Sequence, residues 1–252
     1  QKFSSHWRKR LVLVGVIGDI HGNIEALEAM VSFLKSHSVT RILCAGDVVG
    51  YGGAPGECVD FIRENKIACV SGNHDFYTLH PEMNHDGIRE DAVEVFEWNR
   101  QVMTQEQLAW LANLPMVLES KALHYQVRHA SCQPYPAWEY VVNERRAAMH
   151  FLFQQMPLCF NGHSHIPILA MHRPGSKVMF ARLRNMKLPR GMSILVGVGA
   201  VGQPRDGDPR ACGVIYDTEE NSIAVVRVPY DVAAAQKRIY DANLPSFLAD
   251  RL

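Results

Sequence analysis

Leu11-Val12-Leu13-Val14-Gly15-Val16-Ile17-Gly18-Asp19-Ile20-His21-Gly22-Asn23 is an apolar run that stops abruptly in a polar, glycine-bracketed knot. Leu and Val up to Ile17 read as a buried strand that delivers its last side chains to an open sheet edge, where α/β sheets bind their ligands. In an extended segment residues i and i+2 point the same way, so Asp19 and His21 can converge on one cation while Ile20 turns back to the core. The glycines permit a tight turn, and Asn23 is a good N-cap for the helix announced by Ile24 to Met30. An ordinary strand-to-helix turn accounts for the same letters, so the decision falls to what recurs downstream.

The pattern does recur. After a helix from Ile24 to His37, Arg41-Ile42-Leu43-Cys44-Ala45 ends in Gly46-Asp47, and Ile67-Ala68-Cys69-Val70 ends in Ser71-Gly72-Asn73-His74-Asp75. Between them lie the flexible loop Gly50 to Gly56 and a helix with Pro55 near its first turn. Three such junctions predict βαβαβ, a largely parallel sheet with right-handed crossovers whose loops gather at one edge. Gly87 to Leu114 has helical spacing and predicts a helical pair, with Trp98 and Trp110 packed in the core. Leu123 to His129 alternates as a strand, Ala147 to Gln155 reads as a helix, and the short strand Leu158 to Asn161 ends in Gly162-His163-Ser164-His165. Further strands are expected at 166–172, 178–183, 193–198, 213–217 and 223–228, then a helix from the N-cap Asp231 to Ala242.

A chain of 252 residues, 47% hydrophobic, reads as a single domain over residues 1–252 with a short basic extension at 1–10. Twenty-six basic residues against 26 acidic ones leave no global attraction to nucleic acid or membrane. The six cysteines show no CxxC spacing and several lie in apolar runs, which suits core thiols better than a disulfide framework. No apolar stretch approaches the roughly 20 residues of a membrane span, and no signal-peptide core precedes the first strand. These absences point to a cytoplasmic protein without a membrane partner.

The strand ends carry Asp19 with His21, Asp47, Asn73 with His74, His129, and His163 with His165. A lone histidine has many ordinary uses; this many, each just after an apolar run, do not share one. Carboxylate, imidazole and carboxamide donors without thiolates suit borderline ions such as Mn, Fe, Zn, Co or Ni. They outnumber what one tetrahedral ion can use, and Asp47 can give an oxygen to each of two ions.

In this order, Gly18-Asp19-Ile20-His21-Gly22, Gly46-Asp47-Val48-Val49-Gly50, Gly72-Asn73-His74-Asp75, His129-Ala130-Ser131 and Gly162-His163-Ser164-His165 resemble the motifs of the calcineurin-like metallophosphoesterases, above all their small single-domain bacterial and archaeal phosphodiesterases. The loop Val201 to Arg210 resembles one of the same subgroup, so the resemblance covers most of the chain. It implies an α/β fold, a four-layer αββα sandwich of two mixed sheets flanked by helices. It also implies a cofactor of two divalent or mixed-valence ions, with Asp19, His21 and His165 on the first, Asn73, His129 and His163 on the second, and Asp47 bridging. His74 matches the family's catalytic histidine and Asp75 its orienting carboxylate. Where relatives often carry Asn and Ser, this chain has Gly197-Val198-Gly199-Ala200, which implies a differently shaped pocket or backbone groups in their place.

The function these expectations describe is hydrolysis of phosphodiester or phosphomonoester bonds of a small phosphorylated substrate by metal-activated hydroxide. His74 would donate a proton to the leaving oxygen, its pKa raised by Asp75, or act as a cation beside the phosphoryl group. Arg205, in a Gly/Pro/Asp-rich loop, could hold a phosphate oxygen. A nuclease is the alternative, supported by the basic cluster Arg173, Lys177, Arg182, Arg184, Lys187 and Arg190; a solvated hairpin face explains the same residues. A metal scaffold without catalysis has no need of His74. Val-Val-Gly-Tyr-Gly after Asp47, in place of an Arg-Gly ending, speaks against a protein phosphatase.

Overall fold

Alternation in the first strand sorts its side chains between two layers. Val14 and Val16 turn toward a second sheet, where they meet Val127, Phe160 and Val196, while Ile17 turns to a helical layer and meets Leu27, Met30 and Leu34. The computed structural model describes residues 12–83, 88–134 and 138–252. The basic extension at 1–10 and the expected helix start at Gly87 lie outside them.

In chain order the elements are β1 (Leu13–Ile17), α1 (Ile24–Ser36), β2 (Arg41–Cys44), α2 (Pro55–Glu64), β3 (Ala68–Cys69), α3 (Asn73–Leu79), α4 (Glu90–Val102), α5 (Gln105–Ala112), β4 (Leu118–Ser120) and β5 (Tyr125–Arg128). There follow α6 (Glu144–Phe151), β6 (Leu158–Asn161), β7 (Pro167–His172), β8 (Met179–Arg182), β9 (Met186–Lys187), β10 (Ser193–Val198), β11 (Ala211–Asp217), β12 (Ser222–Val228), α7 (Val232–Asp241) and α8 (Phe247–Asp250). The first sheet has the order β3-β2-β1-β11-β12-β9 and the second β4-β5-β6-β10-β7-β8. The expected parallel unit is there as β1, β2 and β3, but the antiparallel β11 completes the other side of β1, so the first sheet is mixed. The second is mixed too: β5, β6 and β10 run parallel and β7 returns against β10.

Helices α1, α2 and α5 cover the outer face of the first sheet through Leu27, Val59, Ile62 and Leu111, and α6 covers the second through Ala147 and Phe151. This is the four-layer sandwich that the resemblance implied. Trp98 and Trp110 pack against apolar clusters, as their helical spacing predicted. The expected caps form: Asn23 accepts from the Ala26 N–H at 3.1 Å, Asp231 from Ala234 at 3.0 Å, and Pro55 opens α2. All six cysteines are buried free thiols. No helix of the described residues is long and apolar enough to cross a membrane.

The layer between the sheets is a continuous apolar cluster, and Phe160 is among its largest fully buried side chains. Phe160→Ala is expected to destabilise the fold by about 3–5 kcal/mol, the range for deleting a buried aromatic ring. Urea unfolding would check it; a loss under about 1 kcal/mol would mean that the sheets close over the gap.

Candidate metal centre

The carboxyl ends of β1, β2, β3, β5 and β6 open on one edge of the sandwich, and all seven expected ligands stand there. Asp19 and His21 follow β1, Asp47 follows β2, Asn73 opens α3, His129 follows β5, and His163 and His165 lie between β6 and β7. All but the half-buried Asn73 are buried.

Their convergence has a cause other than the extended spacing expected from sequence. Asp19, His21, Asp47, His163 and His165 have φ of 51°, 50°, 54°, 65° and 58°, in the left-handed region that non-glycine residues seldom occupy. Such residues persist where the surroundings over-determine them. Here the loops after β1 and β2 are laced together, with Asp19 N–H donating to Gly46 O at 2.9 Å, His21 N–H to Asp47 O at 2.9 Å and Gly22 N–H to Val48 O at 2.9 Å. Asn73 and His74 likewise open a helix, so they diverge by about 100° around its axis and do not sit back to back on a strand.

Asp19, His21 and His165 place one ligand atom each within 4.8 Å of one another, as do Asp47, His129 and His163. His21 Nε2 lies 3.0 Å from His165 Nε2, and His129 Nε2 lies 3.2 Å from His163 Nδ1 and 2.9 Å from Asn73 Oδ1. Asp47 Oδ2 sits between the halves, 3.6 Å from His21 Nε2 and 3.3 Å from His129 Nε2.

The other nitrogen of each ring faces a carbonyl oxygen: His21 Nδ1 that of Val49 at 3.3 Å, His129 Nδ1 that of Ala45 at 2.8 Å, His165 Nδ1 that of Gln203 at 2.6 Å, and His163 Nε2 that of Trp138 at 3.0 Å. A carbonyl only accepts, so the outward nitrogen carries the hydrogen and the inward one presents a bare lone pair. Lone pairs aimed at each other across about 3 Å repel unless a proton or a cation lies between them. The donor set therefore fits borderline divalent ions.

Protons take part of that role in the ion-free protein. Burial, with the neighbouring Asp47 carboxylate, pushes Asp19 up to about 7 against the opposing pull of His129. Against burial, Asp47 raises the His129 ring to about 9. Burial and the nearby His129 hold His163 at about 3.

Asp75 departs from its expected place. Its two carboxylate oxygens accept from the backbone N–H groups of Asp47, Val48, Val49 and Gly72 at 2.9, 2.9, 3.1 and 2.9 Å. It thus braces the Asp47 loop and does not raise His74. Burial is the largest influence on His74 and holds its ring at about 4, below the ordinary range. The His74 backbone N–H donates to Asp47 Oδ1 at 2.8 Å, and its ring stands edge-on to His21, Tyr51 and Phe96. Two glycines make room: a Cβ on Gly72 would overlap the Asp47 carboxylate, and one on Gly50 the His74 ring.

Arg205 does reach the site, its backbone N–H on His165 O at 3.2 Å, its Nη2 on Gln203 Oε1 at 3.1 Å, and its guanidinium 5.8 Å above the Tyr51 ring. Its Nε is buried without a hydrogen-bond partner. Tyr51, which packs on both His21 and His74 with φ of 39°, escaped the sequence reading. A bulky residue between Gly50 and Gly52 in a ligand loop was the signal. The basic cluster does not form one strip: register pairs Ile168 with Arg182 and Met171 with Met179, so Arg182 returns toward the site end of β7 while Arg173 and Lys177 follow its far end. Lys187 belongs to the other sheet, where it pairs with Glu220.

Asp75→Asn leaves one acceptor oxygen where two served, orphaning amides at about 1–3 kcal/mol each. Stability and bound metal are expected to fall together, read by urea unfolding and elemental analysis. Unchanged values in both would show that the Asp47 loop holds without the carboxylate.

Residues 12–221 match the model of the calcineurin-like phosphoesterase superfamily domain. The chain is 34% identical over 242 residues to an uncharacterised protein of Methanocaldococcus jannaschii, covering 95% of this chain and 97% of that protein. The crystal structure of a metallophosphoesterase from Sphaerobacter thermophilus superposes with a TM-score of 0.80 at 33% identity, over 96% of this chain and 98% of that one. A symmetrical bis(5'-nucleosyl)-tetraphosphatase of Haemophilus influenzae is 25% identical over 122 residues, 47% of this chain and 44% of its own length.

Proposed function

The chain belongs to the calcineurin-like phosphoesterase superfamily, which makes it a hydrolase of phosphoester bonds, and we propose that it cleaves a phosphodiester or phosphomonoester of a small substrate with the help of two divalent ions. The observation that carries this reading is the common orientation of the four inward histidines, each with one ring nitrogen on a backbone carbonyl and the other turned toward Asp47 or Asp19. Asp19, His21 and His165 would hold one ion, Asn73, His129 and His163 the other, and Asp47 both. When bound, such a pair supplies hydroxide at neutral pH and spreads the phosphoryl charge.

The chain's own residues do the remaining work. His74 stands beside the candidate ligands with its Nδ1 buried and without a hydrogen-bond partner, so that nitrogen is free to meet the leaving oxygen or a phosphoryl oxygen. A substrate that brings negative charge to it opposes the burial that holds the ring at about 4. Tyr51 and Phe96 keep water from that ring. Arg205, held over Tyr51, presents a guanidinium to a phosphate oxygen. At the rim, the exposed Tyr140 stacks on His163 with ring centroids 3.9 Å apart, an aromatic surface that suits a nucleotide-like substrate. The partial likeness to a dinucleoside tetraphosphatase points the same way.

The test is hydrolysis of phosphomonoesters, phosphodiesters and cyclic nucleotides by purified protein with Mn, Fe, Zn, Co or Ni; no turnover with any combination would overturn the reading. His74→Asn is expected to keep both ions yet lose about 10²- to 10⁴-fold in rate. The loss should be greater for an alkyl leaving group than for a nitrophenolate, and a mutant short of one ion would make His74 a ligand instead. Arg205→Ala should raise KM at unchanged metal content, whereas unaltered kinetics would return Arg205 to a structural role.

A further inference from the structure

Away from the metal centre, Cys132, His150 and Cys159 gather their ligand atoms within 4.8 Å of one another, all buried. Cys159 lies on β6 facing the outer layer, His150 is on the buried side of α6, and Cys132 stands in the loop after β5. Spacing alone would admit a cation. The hydrogens decide otherwise.

Gln126, the register partner of Cys159, accepts with Oε1 from the Gln155 and Met156 N–H groups at 3.3 and 3.1 Å. Its amide nitrogen is thereby turned inward, 2.9 Å from Cys132 Sγ and 3.7 Å from Cys159 Sγ. His150 Nδ1 accepts from the Cys132 N–H at 3.1 Å, so the ring hydrogen sits on Nε2. The surroundings of Nε2 agree: Gln154 donates its own amide to Met156 O at 2.7 Å and turns Oε1 to His150 Nε2 at 2.8 Å. Nε2 also lies 3.7 Å from Cys132 Sγ. This is the reverse of the metal-centre histidines, whose hydrogens point outward.

The Gln126 amide, which turns its N–H groups to the sulfurs, stabilises a thiolate and repels a cation, and the His150 hydrogen, taken by Gln154, leaves no bare ring nitrogen there to bind one. The Cys159 thiol, 3.9 Å away, and then His150 and Arg128 bring Cys132 down to about 5 in spite of burial. Burial, with the charge on Cys132, pushes Cys159 well above the usual thiol range. The arrangement favours a thiolate at Cys132 beside a thiol at Cys159. Cys132 keeps 4% of its surface exposed and Cys159 none, so a small oxidant meets the thiolate first.

We propose that Cys132 and Cys159 are a peroxide-reactive dithiol, with Cys132 the attacking thiolate and Cys159 the resolving thiol. Cys132 Sγ attacks a hydroperoxide oxygen; an S–O bond forms, the O–O bond breaks, and the departing oxygen leaves as hydroxide or alkoxide and takes a proton from solvent, leaving a sulfenic acid. Cys159 Sγ then attacks Cys132 Sγ; the S–S bond forms, the S–O bond breaks, and water leaves with the Cys159 proton. The two sulfurs lose two electrons in total and the peroxide gains them. To bond, the sulfurs close from 3.9 Å to about 2.05 Å. The crosslink joins the loop after His129 to the strand before His163.

The reduced, full-length protein tests this directly. Its ultraviolet spectrum should contain thiolate absorbance at pH 7 that vanishes on acidification and in Cys132→Ser. Hydrogen peroxide should remove two hydrogens from the mass, with peptide mapping placing the bond between Cys132 and Cys159 and dithiothreitol restoring them. In Cys159→Ser, dimedone should label Cys132. The proposal is overturned if wild-type protein keeps both thiols under peroxide, if oxidation falls first on Cys44, Cys58, Cys69 or Cys212, or if added Co²⁺ yields thiolate-to-metal charge transfer that Cys132→Ser abolishes.

Discussion

Asp75 is not among the candidate ligands, yet it braces the loop that carries Asp47. Its carboxylate gathers four backbone N–H groups, three of them consecutive at Asp47, Val48 and Val49. Consecutive amides point at one spot only when the chain coils tightly, and Asp47 meets that demand with a φ of 54°. Burial and the nearby Asp47 charge push the Asp75 carboxyl up to about 7 against the pull of these N–H groups, and each such hydrogen bond is worth roughly 0.5–3 kcal/mol. That offsets a left-handed residue at about 1–3 kcal/mol, and it leaves the Asp47 side chain aimed between the two histidine groups.

Much of this was legible in the sequence and some was not, for physical reasons. Strands with clear periodicity, helices with Asn23, Pro55 and Asp231 at their starts, and the convergence of polar residues at the strand ends could all be read, because each is a local pattern. The short β4 and β9 have too few residues to show a period, and α3 hid inside the ligand knot because its N-cap, Gly72, has no side chain to signal with. Asp75 was misjudged for a different reason: its neighbour in sequence is His74, but its partners lie up to 28 positions away. The candidate ligands were picked from an incorrect geometry. A strand-end spacing and a series of left-handed turns both bring Asp19 and His21 together, and only backbone angles tell them apart.

Histidine serves this fold in two opposite senses. In the metal centre the backbone offers carbonyls to the outer nitrogens, and the rings point bare lone pairs inward. Beneath α6 the backbone offers an N–H to His150 Nδ1, and the ring hydrogen on Nε2 goes to Gln154 Oε1, so no bare lone pair faces the sulfurs. The side chain is the same; the main-chain group behind it sets whether a pocket welcomes positive or negative charge. Residue type alone groups the two clusters together, and the hydrogen-bond network separates them.

The strand that carries the first candidate ligands lies between β2 and β11, so one flank is covered by nearby chain and the other by residues about 200 positions on. Asp19 is then held by the N–H of His163, 144 residues away, and its carbonyl by the N–H of Gly202. Contacts of such separation form late, since long loops must close before they are rewarded. During synthesis and refolding β1 therefore spends time with one side of its hydrogen-bonding ladder open, an edge that other chains can pair with. The same threading that assembles the ligands from both sheets makes this interval the chain's point of exposure to misassembly.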